Sequence, residues 1–405
     1  MNPLLISGFG TSINVEKAKL IIKNRLKNKN YEFAPHKIPH DSIILDNHSG
    51  VISFDAMKWL LKHDIQLSIL NWNGNLLGVT LPENPKSGQL RIKQYQMYLN
   101  NDKRFSIAQK IVEQKIESSF NLIKSLSNYY LINQLKIKEQ FESEKRNYLI
   151  KINNRPDFTA LLAYEGRIAQ GYFDALGTIF AQTGTKFTFS GRKRADYSRN
   201  YNASDEINAL FNYGYAVLES EIRKIINSVG LDPGIGFLHE VSPSRTPLVY
   251  DFQELFRWII DLSVLQTLEK YPKLKKSDFI LTENYNIRLK DTVASILIDK
   301  IKDNLNKKVP YKGKNYYYSN VLADNVSKLA HYVSEKSKKI EFTVPEFVFT
   351  RNDLLTLQQK ILNMTPSERK RHGINKSTLF YMKKNLKSGK NIKIYSKVLD
   401  KLNKK

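Results

Sequence analysis

Over the first hundred residues, apolar positions come in short runs separated by turn formers. NPLLISG, YEFAPHKI and SIILDNHSG each read as a β-strand bounded by Gly, Pro, Asn or Asp. SFDAMKWLLKHD changes to helical spacing, with Ser53 at the N-cap position. IQLSILNWNGNLLGVTLP returns to β-rich runs on either side of Asn73-Gly74, a strong two-residue turn signal, and predicts a hairpin. PENPKSG follows as a linker or long turn.

From about Asn101 the period becomes helical. Ile107, Ile111, Ile116, Phe120 and Ile123 form an apolar stripe. FTALLAYEGRIAQGYFDALGTIF, EINALFNYGYAVLESEIRKIINSVG, which Gly230 closes, and DFQELFRWIIDLSVLQTLEK read as further helices. SGRKRADYSRNYN is a basic loop with tyrosines. In TPSERKRHG, Thr365 is the expected N-cap, Pro366 the first helical residue and Glu368 the capping-box partner, with a break at Gly373. INKSTLFYMKKNL starts a second helix capped by Asn375, and SGKNIKIYSK suits a short wing strand. Helix, glycine turn, basic helix and wing resemble a helix-turn-helix module. The expected fold is therefore α+β and multidomain. A β-rich domain covers residues 1–95, an all-α domain 96–345 and a helix-turn-helix DNA-binding module 346–405.

Charge then narrows the partners. The chain has 405 residues and a formal net charge of +25. Residues 351–405 alone contribute 15 Lys and Arg against 3 Asp and Glu. Such a balance attracts polyanions, nucleic acid first among them. Neither a basic amphipathic anchor nor a lipidation signal supports a membrane surface, and the apolar run WIIDLSVLQTL is short and carries Asp261. MNPLLISGFG lacks the charged and long apolar regions of a secretory signal, so a cytoplasmic protein is expected. The absence of cysteine excludes disulfides, thiol nucleophiles and zinc-thiolate sites. Candidate DNA contacts are Arg192, Lys193 and Arg194 in the tyrosine-bearing loop, Arg245 and Arg257 around the segment considered next, and Lys383 and Lys384 in the second basic helix.

GIGFLHEVSPSRTPLVYDFQELFR gathers His239, Asp251 and Glu254. Two carboxylates three apart share a helix face and repel, so positive charge is expected between them. Carboxylates with one imidazole suit Mn2+, and Mg2+ less ideally. Glu165, the acid within the apolar stretch LAYEGRIAQGYF, is a candidate third ligand, and Tyr250 could orient a nucleophile. Structural alternatives stand beside this. Asp251 and Glu254 could be a helix-capping pair, His239 a hydrogen-bonded loop residue, and Glu165 a partner of Arg167.

Several of these segments together resemble one family. HSGVISFDAMKWLLKHDIQLSILNWNGNLLG is similar to the β-domain signature of the CRISPR-associated adaptation integrases. LAYEGRIAQGYF, INALFNYGYAVLESEI, GLDPGIGFLH and LVYDFQELFR are similar to their helical-domain motifs, in the same order, over about residues 1–335. The resemblance implies a homodimer formed through the β domains and a helical catalytic domain. It puts Glu165, His239 and Glu254 at metal-ligand positions and Tyr250 and Asp251 beside them. Glu254 stands where some members have Asp, which leaves open whether Asp251 or Glu254 binds the metal. The implied activity is metal-dependent strand transfer between DNA 3′-hydroxyls, which needs no triphosphate, and no P-loop is present. The basic C-terminal module resembles that of the casposases, the casposon transposases sharing this core. NKSTLFYMKK would then be the reading helix, with Lys376, Ser377 and Thr378 near the groove of double-stranded DNA at element ends or target. An adaptation integrase working with a small partner protein is the second reading. A non-catalytic DNA-binding protein and a structure-specific nuclease are the others.

Overall fold

The computed structural model describes residues 2–24, 28–71, 74–80, 88–130, 132–152, 157–189, 191–192, 203, 205–243, 245–282, 287–349, 361–362, 364–371 and 373–387. The N-terminal runs form one six-stranded sheet. Its strands are β1 (Pro3–Glu16), β2 (Lys19–Asn24), β3 (Lys29–Phe33), β4 (Ser42–Ile52), β5 (Gln66–Leu70) and β6 (Leu76–Thr80), ordered β3-β2-β1-β4-β5-β6. β1 runs parallel to β4, and β4 to β5, while the outer pairs are antiparallel. Alternation sets the faces. In β2, Leu20 and Ile22 point into the core while Lys19 and Lys23 stay outside.

Helix α1 (Phe54–Lys62) covers that face and starts as its sequence predicts, with the Ser53 hydroxyl accepting from the Ala56 N–H at 3.1 Å. Trp59 and Leu60 join Ile13, Leu20, Ile22 and Ile43 in the core, and Trp59 Nε1 donates to the Ala18 carbonyl at 3.0 Å. The expected hairpin forms between β5 and β6, with Gly74 at φ +82°. Asn73 and most of the expected linker, residues 81–87, lie outside the described residues. Two runs read differently. β1 continues to Glu16 and pairs with an unanticipated β2, whose lysine-flanked sequence masks its alternation. YEFAPHKI is a strand only to Phe33, because Pro35 lacks a donor and His36 sits at φ +58°.

The chain divides into two compact units that interleave along the sequence. The first is Met1–Lys115, Arg199–Val264 and Lys276–Pro345; the second is Ile116–Ser198, Leu265–Lys275 and Glu346–Lys405. The first holds the sheet, α2 (Gly88–Leu99), the start of α3 (Asn101–Leu126), α6 (Glu206–Val229), most of α7 (Pro247–Lys270), α8 (Asp291–Leu305) and α9 (Tyr318–Val333). It also holds the antiparallel pairs β7 (Phe279–Leu281) with β8 (Ile287–Leu289) and β9 (Lys308–Tyr311) with β10 (Lys314–Tyr317), so residues 96–345 are mostly helical rather than all-α. The sheet docks on α6 through polar groups, with Gln66 Nε2 donating to Ser220 Oγ at 2.6 Å.

The second unit contains α4 (Gln134–Ile152), α5 (Phe158–Phe180), α10 (Pro366–Arg371) and α11 (Lys376–Lys387). The capping box of α10 closes both ways: Thr365 N–H donates to Glu368 Oε2 at 2.7 Å and Glu368 N–H to Thr365 Oγ1 at 3.3 Å. Gly373 then turns the chain at φ +61°, and α11 begins after Asn375. The expected wing strand, residues 388–397, lies outside the described residues. No helix among the described residues is long and apolar enough to cross a membrane.

Candidate active site

The site grows from the loop between α6 and α7. Gly230 ends α6 in the left-handed region at φ +91°. The loop then passes so close to α7 that a Cβ on Gly236 would sit 2.7 Å from the Pro247 carbonyl carbon and 3.0 Å from Asp251 Oδ2. Only glycine permits that approach. Helix α2 braces the loop: Gln94 Nε2 donates to the carbonyls of Asp232 and Ile235 at 2.9 and 2.8 Å. From α3, Arg104 Nε donates to the Phe237 carbonyl at 3.1 Å and its guanidinium to Glu240 at 2.7 Å.

Asp251 is not a helix cap. It lies one turn inside α7, fully buried, and its carboxylate accepts from the loop instead. Oδ2 takes the N–H groups of Phe237 at 2.5 Å and Leu238 at 3.1 Å. Oδ1 takes the His239 N–H at 3.0 Å and His239 Nδ1 at 2.9 Å. Four donors saturate the carboxylate, which leaves Asp251 to build the loop and orient the imidazole. Because Nδ1 donates, Nε2 carries the lone pair when the imidazole is neutral. The His239 side chain is 39% exposed against 0% for Asp251. Burial lowers the pKa of His239, but the Asp251 hydrogen bond and charge, with Glu254, outweigh it and hold the pKa above the usual value.

Glu254 has the opposite surroundings. Its buried carboxylate pairs with Arg257 at 2.9 Å and with the Lys115 ammonium from α3. Burial alone would raise its pKa, yet Arg257, Lys115 and His239 hold it well below the carboxylate range. The positive charge expected between the two acids is therefore present, but gathered on Glu254. Lys115 is absent from the sequence reading, although its register marks it. Ile111, Lys115, Ser118 and Leu122 share one helical face, all buried except the partly exposed lysine, and a cation there requires an acid.

Arg257 also lies 4.4 Å over the Tyr215 ring, so both partners of its guanidinium belong to the interior of this unit. Tyr250 meets His239 edge to face at 5.9 Å. Burial, then the charge of Glu219, raises its phenol pKa. It lines an open polar cleft of about 690 Å3 with Tyr215, Glu219, Arg223, Arg245 and Gln253. Arg245 is exposed, and Arg223 pairs with Glu219 at 2.6 Å.

Glu165 is on α5 in the second unit, half-buried, and Arg167 pairs with Glu144. Lys376, Ser377 and Lys384 are exposed on α11 and Thr378 is half-buried. Lys383 donates to the Met364 carbonyl at 2.9 Å. Arg192 is described and half-buried; Lys193 and Arg194 lie outside the described residues. Among the described residues, no three His, Asp or Glu side chains stand arranged to hold a metal ion. His239 and Glu254 nonetheless suit one: an imidazole with Nε2 available, and an ionised buried carboxylate against which an ammonium now rests.

A family model described as CRISPR associated protein Cas1 matches residues 4–303. The CRISPR-associated endonuclease Cas1 1 of Archaeoglobus fulgidus is 26% identical over 331 residues, covering 79% of this chain and 92% of the relative. Its namesake in Francisella tularensis subsp. novicida is 28% identical over 333 residues, covering 82% and 95%. Among solved structures, a casposase bound to integration product shares 35% of residues at a TM-score of 0.74, covering 90% of this chain and 99% of that one. The chain belongs to the Cas1 family, with a casposase among its structural relatives.

Proposed function

We propose that this chain is a casposase-like DNA integrase that joins DNA 3′-hydroxyl ends to target DNA. The carrying observation is the likeness to a casposase bound to integration product. That match covers 90% of the chain, so it extends beyond residue 303, where the family match stops. The basic helices α10 and α11 fit the reading as a helix-turn-helix arm for duplex DNA.

The reaction exchanges one phosphodiester for another. A 3′-hydroxyl gives up its proton as its oxygen bonds to a target phosphorus, the bond from that phosphorus to its former 3′-oxygen breaks, and the departing oxygen takes up a proton. His239 and Glu254, with Glu165, would hold Mn2+ or Mg2+. When bound, such an ion neutralises and polarises the phosphate. For Glu165 the motif alone carries the assignment. Asp251 holds the imidazole through Nδ1, which would leave Nε2 as the nitrogen to bind the ion. Arg257 and Lys115 keep Glu254 ionised at neutral pH. Tyr250 packs against His239 and leads into the cleft, where Arg245 provides a phosphate contact for the adjoining strand.

The curated relatives are named CRISPR-associated endonucleases, which favours spacer insertion with a small partner protein as the second reading. Purified protein alone, incubated with Mn2+, supercoiled plasmid and labelled oligonucleotides, separates the two. Joined product without any partner is expected. Joining only after a partner protein is added would favour the second reading.

A further inference from the structure

Helix α11 has two chemically different faces. Leu379 and Met382 point inward, at 8% and 7% exposure, beside buried Ile374. The outer face carries Phe380 and Tyr381, each 62% exposed. Their rings meet edge to face with centroids 5.8 Å apart. Lys376, Phe380 and Lys384 are spaced four apart and form one row, with Ser377 and Tyr381 in the next. A lysine therefore stands one turn before and one turn after the exposed aromatics.

Two adjacent large aromatics in water give this face apolar surface that a partner can cover. Its chemistry is constrained from both sides. The flanking lysines, in a segment with 15 cations against 3 anions, require negative charge. The rings require flat apolar faces. A duplex offers only its groove edges, where Phe380 meets at most a thymine methyl and its ring face stays uncovered. Unpaired bases offer faces, with phosphates at regular spacing alongside. DNA ends bearing free 3′-hydroxyls fray, so unpaired bases occur in the substrates of the reaction proposed above, on which this inference rests.

We propose that Phe380 and Tyr381 form a stacking platform for unpaired bases of single-stranded DNA, with Lys376 and Lys384 on the neighbouring phosphates. The helix would thus hold a frayed strand beside the duplex that the arm binds.

Fluorescence anisotropy with the full chain tests this, using a single-stranded oligonucleotide and the same strand annealed to its complement. Phe380→Ala/Tyr381→Ala should weaken single-strand binding by about tenfold or more. Duplex affinity should stay within about twofold, and the salt slope should not change because no charge is lost. Lys384→Ala should instead flatten the single-strand salt slope by about 0.7. Phe380→Leu/Tyr381→Leu keeps the apolar surface without aromatic faces and should bind single strands as poorly as the alanine variant. Equal losses on both DNA forms, or full binding by the leucine variant, would overturn the platform. An unmodified chain that binds duplex but not single strands would overturn it while leaving the integrase reading intact. A chain that binds neither would overturn both.

Discussion

Asp251 and Glu254 lie three residues apart on α7 and do opposite work. Asp251 receives four donors from a loop and orients His239; Glu254 is surrounded by cations. Their spacing was legible in the sequence, but their roles were not, because the donors come from backbone N–H groups that no side-chain pattern announces. Asp251→Ala would leave buried N–H groups unsatisfied, at about 1–3 kcal/mol each. Chemical denaturation should therefore show a loss of at least about 3 kcal/mol; an unchanged midpoint would contradict its role as loop builder. Lys115→Met tests Glu254. Without the competing ammonium, Mn2+ should bind more tightly in calorimetry, by about threefold or more given the worth of one close charge. Weaker Mn2+ binding would mean that Lys115 supports the site rather than competing for it.

At the scale of elements, strong local signals were read well. The caps at Ser53 and Thr365, the stop at Gly230 and the β5–β6 hairpin all follow from residues within a few positions of each other. Strand β2 and helix α2 are not legible from local signals. The first is too short and lysine-rich, and the second buries Gln94, whose amide binds the distant loop, instead of a clean apolar stripe. Long-range polar docking was also hidden. Glu221 on α6 faces the start of β4, accepting from Ser42 at 3.3 Å. Burial, aided by the charge of Asp41, raises its pKa to about 7. A carboxyl raised on folding favours the native state most below its unfolded pKa of about 4.3. That contribution fades as pH rises toward 7. Glu221→Gln should thus be more stable than the parent at pH 8 by about 3–4 kcal/mol, with the gap closing near pH 4. A gap that does not vary with pH would rule out Glu221 as its source.

At the scale of the molecule, the division into a β-rich N-terminal part and a mostly helical remainder could be read from the change in apolar period near residue 100. The interleaving of two compact units could not, since it depends on contacts between segments far apart in sequence. The basic excess of residues 351–405 belongs to this scale too. Removing them should lower duplex affinity and flatten its dependence on salt, because counterion release scales with the phosphates contacted. An unchanged slope would show that the C-terminal segment is not a DNA arm.

His239 and Glu254 would serve metal-dependent joining of DNA ends. The most direct measurement is a strand-transfer assay in Mn2+ comparing the parent chain with His239→Ala and Glu254→Gln, with duplex binding measured in parallel. Joining by the parent, lost by about a hundredfold or more in both variants while duplex affinity persists, is the predicted result. Joining that survives in either variant, or that proceeds equally well in chelator, would contradict the account.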